Sequence, residues 1–333
     1  MKNSLLDYSG AIHVHTFYSF DGVKKIDDIV QSAKKCGLDY IITNDHFSIE
    51  AKKYEGWHKD VLLIAGEEIS PRYNHYLAFN IKETIAVDRD YNNPQTYIDE
   101  VNNQGGFGFI AHPDHAGNKK FEVKDYRWAD WNVKGYSGFC IWDLQNDWQI
   151  TLTSYLKAFL SYLFPARYLR GPKKKTLKRW DELNQNQTDK KYAIGEVDNH
   201  ENMRKYFGLK FYIFPFDFAF RTIRTHILLK EPFSKNNSDI AKVYDAIKNG
   251  SSYISNDYYC NAKGFEFYNE NNKIKVKTPV KSVIRIIKNG EKISEAYSDN
   301  VNIDVSGKGC YRCECYLKKH GLRPWIFSNP IFI

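Results

Sequence analysis

The chain has 333 residues, 42% of them hydrophobic and 26% charged, which excludes a mainly disordered polypeptide and leaves room for one large domain and a small one. Its formal charge of +8 favours anionic partners over cationic ones, and an aromatic content of 16% points to ring-rich packing or a ring-lined groove. Six cysteines in so long a chain do not make a disulfide framework and fit a reducing compartment.

Residues 1–9 lack the charged start, apolar core and cleavage site of a secretory leader, so the expected location is cytoplasmic. Short β-type runs then recur at 11–15, 40–43, 61–66, 76–81, 107–111, 138–142 and 192–195, with helical patterns between them. The first helix, 24–36, carries Ile26, Ile29, Val30 and Ala33 on one face and ends near Gly37. Strand, helix, strand implies a parallel sheet. Polar residues gathered at the strand ends imply a seven-stranded β/α barrel whose reactive groups share one mouth.

Between the sixth and seventh strands, residues 144–190 read as a cap-like insertion over that mouth. Its apolar half is broken by Lys157, Pro165 and Arg167, short of the roughly 18 residues that cross a bilayer, and is expected to pack as a helix rather than lie on a membrane. Its basic half contains Lys173, Lys174, Lys175, Lys178 and Arg179. After a helix at 239–248 the pattern changes to short alternating strands with the turn pairs Asn289-Gly290 and Ser306-Gly307. The expected division is therefore a barrel over 1–255 and a small β-sandwich over 256–333.

His13-Val14-His15 ends the first strand, where alternate residues share a face and both rings can reach one ion. Asp45-His46 ends the second strand, Glu67-Glu68 the third, His112-Pro113 the fifth and Asp198-Asn199-His200 the seventh, while His75 opens the fourth. Imidazole and carboxylate donors suit Zn, Mn or Fe, and so many at one mouth would repel or stay unsatisfied without cations. His58, His226 and His320 fall outside the pattern, where helix, strand or turn packing accounts for them. Cys313 and Cys315 alternate with charged residues as strand core positions do, and no second ligand pair accompanies them at zinc spacing.

These residues resemble the motifs of the PHP superfamily, named for polymerase-associated and histidinol-phosphatase domains, over about residues 10–257. His13-Val14-His15-Thr16 with Ser19 and Asp21-Gly22 is similar to His-x-His-Thr-x-x-Ser-x-Asp-Gly. Thr43-Asn44-Asp45-His46 is similar to Thr-Asp-His with Asn44 added, and Gly66-Glu67-Glu68-Ile69 to Gly-x-Glu-Ile, which singles out Glu68 over Glu67. Ala111-His112-Pro113 resembles the third motif. Gly195 with Asp198-Asn199-His200 resembles the fourth, with Glu196-Val197 lengthening the approach and Asn199 where a small residue is usual. Leu169-Arg170-Gly171-Pro172, Trp180-Asp181-Glu182-Leu183 and the ending from Pro324 to Ile331 resemble the bacterial branch that carries a C-terminal β domain.

The resemblance implies a trinuclear metallo-phosphoesterase on a distorted seven-stranded β/α barrel. One metal would be held by His13, His15, Glu68 and Asp198, a second by Glu68, His75 and His112, and a third by Asp21, His46 and His200. The expected reaction is hydrolysis of a small or medium organic phosphate, mono- or diester, by a metal-activated bridging water, with the third ion holding phosphate oxygens. Glu68 and Asp198 are the catalytic carboxylates, His115 or Asp114 is placed to protonate the leaving oxygen, and Arg170 and Lys173 to close on the phosphate. Two alternatives stay open: a carbamate, ester or amide hydrolase using the same water, and a non-catalytic module that binds glycan, lipid or nucleic acid. Nucleic acid is not favoured, because Phe211, Ile213, Phe214, Phe216, Phe218 and Phe220 read as core rather than as a base-stacking surface.

Overall fold

Apolar runs bounded by turn residues become strands in the computed structural model, which describes residues 5–206, 208–305 and 307–333. The N-terminal part contains β1 (Leu6–Val14), α1 (Ile26–Lys35), β2 (Tyr40–His46), β3 (Gly56–His58), β4 (Val61–Ile69), β5 (Tyr76–Phe79), α2 (Pro94–Asn103), β6 (Phe107–Ile110) and β7 (Gly138–Asp143). The insertion follows as α3 (Leu144–Gln149), α4 (Tyr155–Leu163), α5 (Pro165–Tyr168) and α6 (Lys174–Asn184). Then come β8 (Tyr192–Glu196), β9 (Met203–Tyr206), β10 (Leu209–Tyr212), α7 (Phe216–Ala219), β11 (Ile223–Leu229), α8 (Ser238–Lys248) and β12 (Ser252–Asn256). The C-terminal part is all strand: β13 (Glu266–Glu270), β14 (Lys273–Lys288), β15 (Glu291–Asp304), β16 (Cys310–Lys318), β17 (Leu322–Ser328) and β18 (Ile331–Phe332).

The result is a mixed α/β fold with one long sheet, ordered β13-β14-β16-β17-β12-β11-β1-β2-β4-β5-β6-β7-β8. Adjacent residues of the inner strands serve different cores: Ala11, Ile41 and Leu63 join one buried cluster, while Ile12, Ile42 and Leu62 join another beneath α8. Burial on both faces explains why these strands read as nearly continuous apolar runs. α1 buries Ile26, Ile29 and Ala33, with Asp27 and Asp28 in its first turn and Lys34 and Lys35 in its last, as the helix dipole favours. A third cluster, including Trp325, Ile284 and Tyr311, belongs to the C-terminal strands.

Three expectations are corrected. The sheet is not uniformly parallel: β1, β2 and β4 run parallel, as do β6, β7 and β8, but β5 is antiparallel to both its neighbours. Strands β11 and β12, absent from the expected set, continue the same sheet beside β1, and β12 pairs with β17, so the C-terminal strands extend one hydrogen-bonded path. The apolar half of the insertion packs only in part: Trp148, Leu152, Ala166 and Leu169 are buried, but α4 buries only Ser161, whose carbonyl accepts the Trp148 indole N–H at 3.2 Å, and Leu156, Phe159 and Leu163 face outward.

At its other end the sheet path returns to β1. Val197 N–H donates to Ile12 O at 3.0 Å, Asn199 N–H to His13 O at 3.2 Å, and His15 N–H to Asn199 O at 3.0 Å. In the C-terminal part, Asn289 (φ 50°) and Gly290 (φ 88°) make the turn joining β14 to β15, as the pair predicts. Ser306, the first residue of the other expected turn pair, lies outside the described residues. Among the described residues, no helix is long and apolar enough to cross a membrane.

Candidate metal centre

The parallel run of β1, β2 and β4 brings their C-terminal ends to one edge, and with them His13, His46 and Glu68, with His15 just beyond β1. The reversal of β5 explains why its histidine comes before the strand rather than after it. Ile69 pairs with Tyr76, so the start of β5 lies beside the end of β4 and His75 Nδ1 comes 2.8 Å from Glu68 Oε1. His112 follows β6, Asp198 and His200 lie where the chain returns to β1, and Asp21 comes from the turn after β1.

The two first-strand histidines do not meet by simple alternation. The register of β1 on β2 slips between Ile12 and Val14, His13 has φ 67°, and the two rings lie 4.9 Å apart between centroids. His112 (φ 23°) and Asp198 (φ 45°) also have positive φ. A non-glycine residue whose backbone is held in this sparsely populated region costs about 1–3 kcal/mol, and such strain gathers where a site requires a particular direction.

Three groups of donor atoms lie mutually within 4.8 Å: His13, His15 and Glu68; Glu68, His75 and His112; and His15, Asp21, His46 and His200, the last including the His15 expected at the first ion, and none of the three including Asp198. Asp198 Oδ1 joins the first at 3.4 Å from both His13 Nε2 and His15 Nε2. Glu68 is the hub, 2.8 Å from His46 Nδ1, 3.2 Å from His13 Nε2 and 3.3 Å from His112 Nε2. Asp21 Oδ2 lies 3.4 Å from Nε2 of both His46 and His200.

Several rings are pinned through one nitrogen. His13 Nδ1 faces Glu196 Oε2 at 3.1 Å, His15 Nδ1 faces Ser19 Oγ at 3.1 Å, and His200 Nδ1 donates to Asp198 O at 3.2 Å. Nε2 of all three is buried without a hydrogen-bond partner. An unsatisfied buried polar atom costs about 1–3 kcal/mol. The donor set therefore fits metal cations, which take up these lone pairs while the second nitrogen fixes each ring.

The electrostatics agree. Burial works against charge on Glu68, yet His46, His13 and His75 hold its carboxyl well below the usual range. Asp198 is likewise held low against burial, chiefly by His13 and His15. Burial and the neighbouring His200 and His46 press His15 down to about 3, which leaves its ring neutral. Against burial, Glu68 lifts His46 to about 10 and His112 to about 9. Ionised carboxylates packed among imidazoles require positive charge, and bound cations supply it without protonating the donors.

The remaining expected residues are placed unevenly. His115 is buried, its ring 5.5 Å from that of His112, and burial with His112 pushes it down to about 4. Asp114 is tied to the insertion through Thr176 Oγ1 and Lys175 Nζ. Lys173 lines the cleft beside His112, its Nζ donating to Asp114 O at 2.7 Å and to Asn146 Oδ1 at 3.2 Å. Arg170 is exposed and is held by its backbone N–H, which donates to the Asp147 carboxylate at 2.9 Å.

Two acidic residues escaped the sequence reading. Glu196, fully buried, faces His13 and accepts the His112 N–H at 2.7 Å, and with those two rings it forms a fourth possible donor group. Its position two residues before Asp198 was the available signal. Asp143 lines the same cleft as Lys173 with Oδ2 buried and unpartnered, and burial with Asp198 and Glu196 nearby holds its carboxyl well above the usual range.

A model of the PHP domain family matches residues 11–209, a segment that includes every expected donor. Among solved structures the chain is similar to a two-domain protein containing a predicted PHP-like metal-dependent phosphoesterase from Bacteroides vulgatus, at 13% identity and TM-score 0.46, covering 100% of this chain and 96% of that one. No curated protein matches it.

Proposed function

Because the chain belongs to the PHP domain family, we propose that it is a metal-dependent phosphoesterase acting on phosphate mono- or diesters at a trinuclear centre. The observation that carries this is the convergence of histidine and carboxylate donors on Glu68, with Nε2 of His13, His15 and His200 buried and unpartnered. In this proposal residues 1–255 form a distorted barrel closed by the return of 197–199 to β1, with 144–190 as its cap, and 256–333 form a small β-sandwich.

The ligands would be His13, His15, Glu68 and Asp198 for one ion, Glu68, His75 and His112 for a second, and Asp21, His46 and His200 for a third. Imidazole with carboxylate suits Zn, Mn or Fe. When bound, such cations make water nucleophilic near neutral pH and offset the charge that builds on a phosphate. Glu68, shared by two donor groups, sets their spacing, and Asp198 orients the nucleophile side. The proton-donor role expected of His115 becomes hydrogen-bond donation to the leaving oxygen, because burial and the neighbouring His112 keep its ring neutral. Lys173, beside His112 in the cleft, and Arg170 from the insertion meet the anionic ester. The six free cysteines support a cytoplasmic, reducing location.

The test is elemental analysis of the purified protein together with turnover of phosphomonoesters, phosphodiesters and carbamates. Metal-dependent turnover of a phosphate ester is expected. Faster turnover of carbamates would move the protein to carbonyl chemistry, and less than about one equivalent of metal after supplementation would remove the centre altogether.

A further inference from the structure

From Trp148 to Trp180 the chain has no Asp or Glu and eight Lys or Arg, while four large apolar side chains of the same stretch face solvent. Leu156, Phe159, Leu163 and Phe164 are 67, 53, 50 and 58% exposed. They belong to α4 and the residue that ends it, with Lys157 on the same helix and Arg167 just beyond it.

The patch continues onto neighbouring segments. Tyr162 meets the Phe211 ring edge-on at 5.3 Å, which places the β9–β10 hairpin beside α4. That hairpin exposes Met203, Leu209 and Tyr212 between the cations Arg204, Lys205 and Lys210. On the other flank Tyr155 packs against Phe121 at 5.5 Å, and Lys120 Nζ lies 4.7 Å over the Tyr155 ring. The carboxylates that flank the hairpin, Glu201 and Asp217, pair with Lys24 and Lys35, and Glu122 stands at the rim near Phe121.

We infer that this face, α4 with the β9–β10 hairpin, docks on an anionic phospholipid surface. Exposed Leu and Phe set among Lys and Arg on an acid-free helix match a bilayer interface, where apolar side chains enter the acyl boundary and cations meet phosphate headgroups. At nine residues and so about 14 Å, α4 is too short to cross a bilayer and lies in its plane. A second copy of the chain would bring a like-charged face against this one, which the cations oppose. The surface lies outside the donor cluster, so its function does not depend on which ester the metal centre cleaves.

The experiment is co-sedimentation of the full chain with vesicles of phosphatidylcholine alone and of phosphatidylcholine mixed with phosphatidylglycerol, at low and high salt. Binding to the anionic vesicles at least about tenfold stronger than to the neutral ones, falling with salt, is expected. The Leu156→Ser/Phe159→Ser double variant should weaken it at least about tenfold, and Lys157→Glu/Arg204→Glu should remove the preference for anionic lipid. All four side chains are exposed, so an unchanged circular dichroism spectrum and metal content accompany these results. No binding, equal binding to both vesicles, or unaltered binding by the double variants overturns the inference. So does a dimer in sedimentation velocity that Leu156→Ser/Phe159→Ser dissociates, because a second copy would then cover the face.

Discussion

Glu67 and Glu68 are adjacent on β4 yet face opposite sides of the sheet: Glu68 stands 2.8 Å from His46 Nδ1 and from His75 Nδ1, whereas Glu67 accepts the Ile85 N–H at 3.0 Å. Burial pushes Glu67 up to about 8, so at neutral pH it holds a proton and an amide is a close mimic. Glu68→Gln should therefore lower bound metal and phosphate-ester turnover by about tenfold to a hundredfold or more, while Glu67→Gln keeps both. Equal losses in elemental analysis and turnover would reverse the assignment.

Asp21 and His46 approach each other at 3.4 Å from separate parts of the chain, at the outer donor group. A tetrahedral phosphate can offer oxygens to three ions at once, and a planar carbonyl only one. Asp21→Ala or His46→Ala should cost about tenfold to a hundredfold in phosphate-ester turnover while the other two ions remain. Wild-type turnover of the best substrate with two ions bound would favour carbamate or ester hydrolysis instead.

Glu196 holds His13 through Nδ1 and the backbone of His112 through its N–H. Removing its charge loosens the ring without deleting a direct ligand of the expected set. Glu196→Gln should weaken metal binding by about tenfold to a hundredfold in competition with a chelator, with the fold intact by circular dichroism. Unchanged affinity would leave Glu196 with no part in orienting the ring.

A buried ionic group far along the sheet gives the stability its own pH dependence. His226 Nδ1 lies 2.8 Å from Asp7, its Nε2 lies 3.5 Å from Asp257, and Tyr253 donates to Asp7 at 2.7 Å. Against burial, Asp257 and Asp7 raise the His226 pKa, and His226 in turn lowers both carboxyls. The imidazolium's contribution is complete below the unfolded value of about 6.5 and is lost as pH rises through the raised folded value. The carboxylates contribute above about 3.9 and lose that contribution as pH falls through their depressed values. Thermal unfolding should accordingly show the largest penalty of His226→Gln at about pH 5, shrinking by about pH 9. A penalty that does not vary with pH would mean that His226 acts by packing alone.

His13, His46 and Glu68 were legible because each is a polar residue at the C-terminal end of an apolar strand. The direction of β5 was not legible: Tyr76, Leu77, Ala78 and Phe79 are all buried, and an apolar strand carries no mark of its direction. Strand β11 was hidden because Arg224, Thr225 and His226 break its apolar run, although all three are buried and bonded within the fold. The outward face of α4 is not legible in the sequence for a related reason. Apolar periodicity says which residues share a face, and only the surrounding structure says whether anything covers it. Glu196 escaped because its partners, His13 and the His112 backbone, come from distant parts of the chain.

The reversed strand also fixes the order in which the donors become affordable to the folding chain. Glu68 and His75 are seven residues apart, joined by a short connection, while His13 and Glu196 are separated by 183. With closure entropy growing as the logarithm of separation, the distant pair costs about 3 kcal/mol more to bring together. One corner of the centre is thus a local contact that a nascent chain can form as soon as β4 and β5 emerge. The corner containing His13 and Asp198 must wait until β8 is made and the chain turns back to β1.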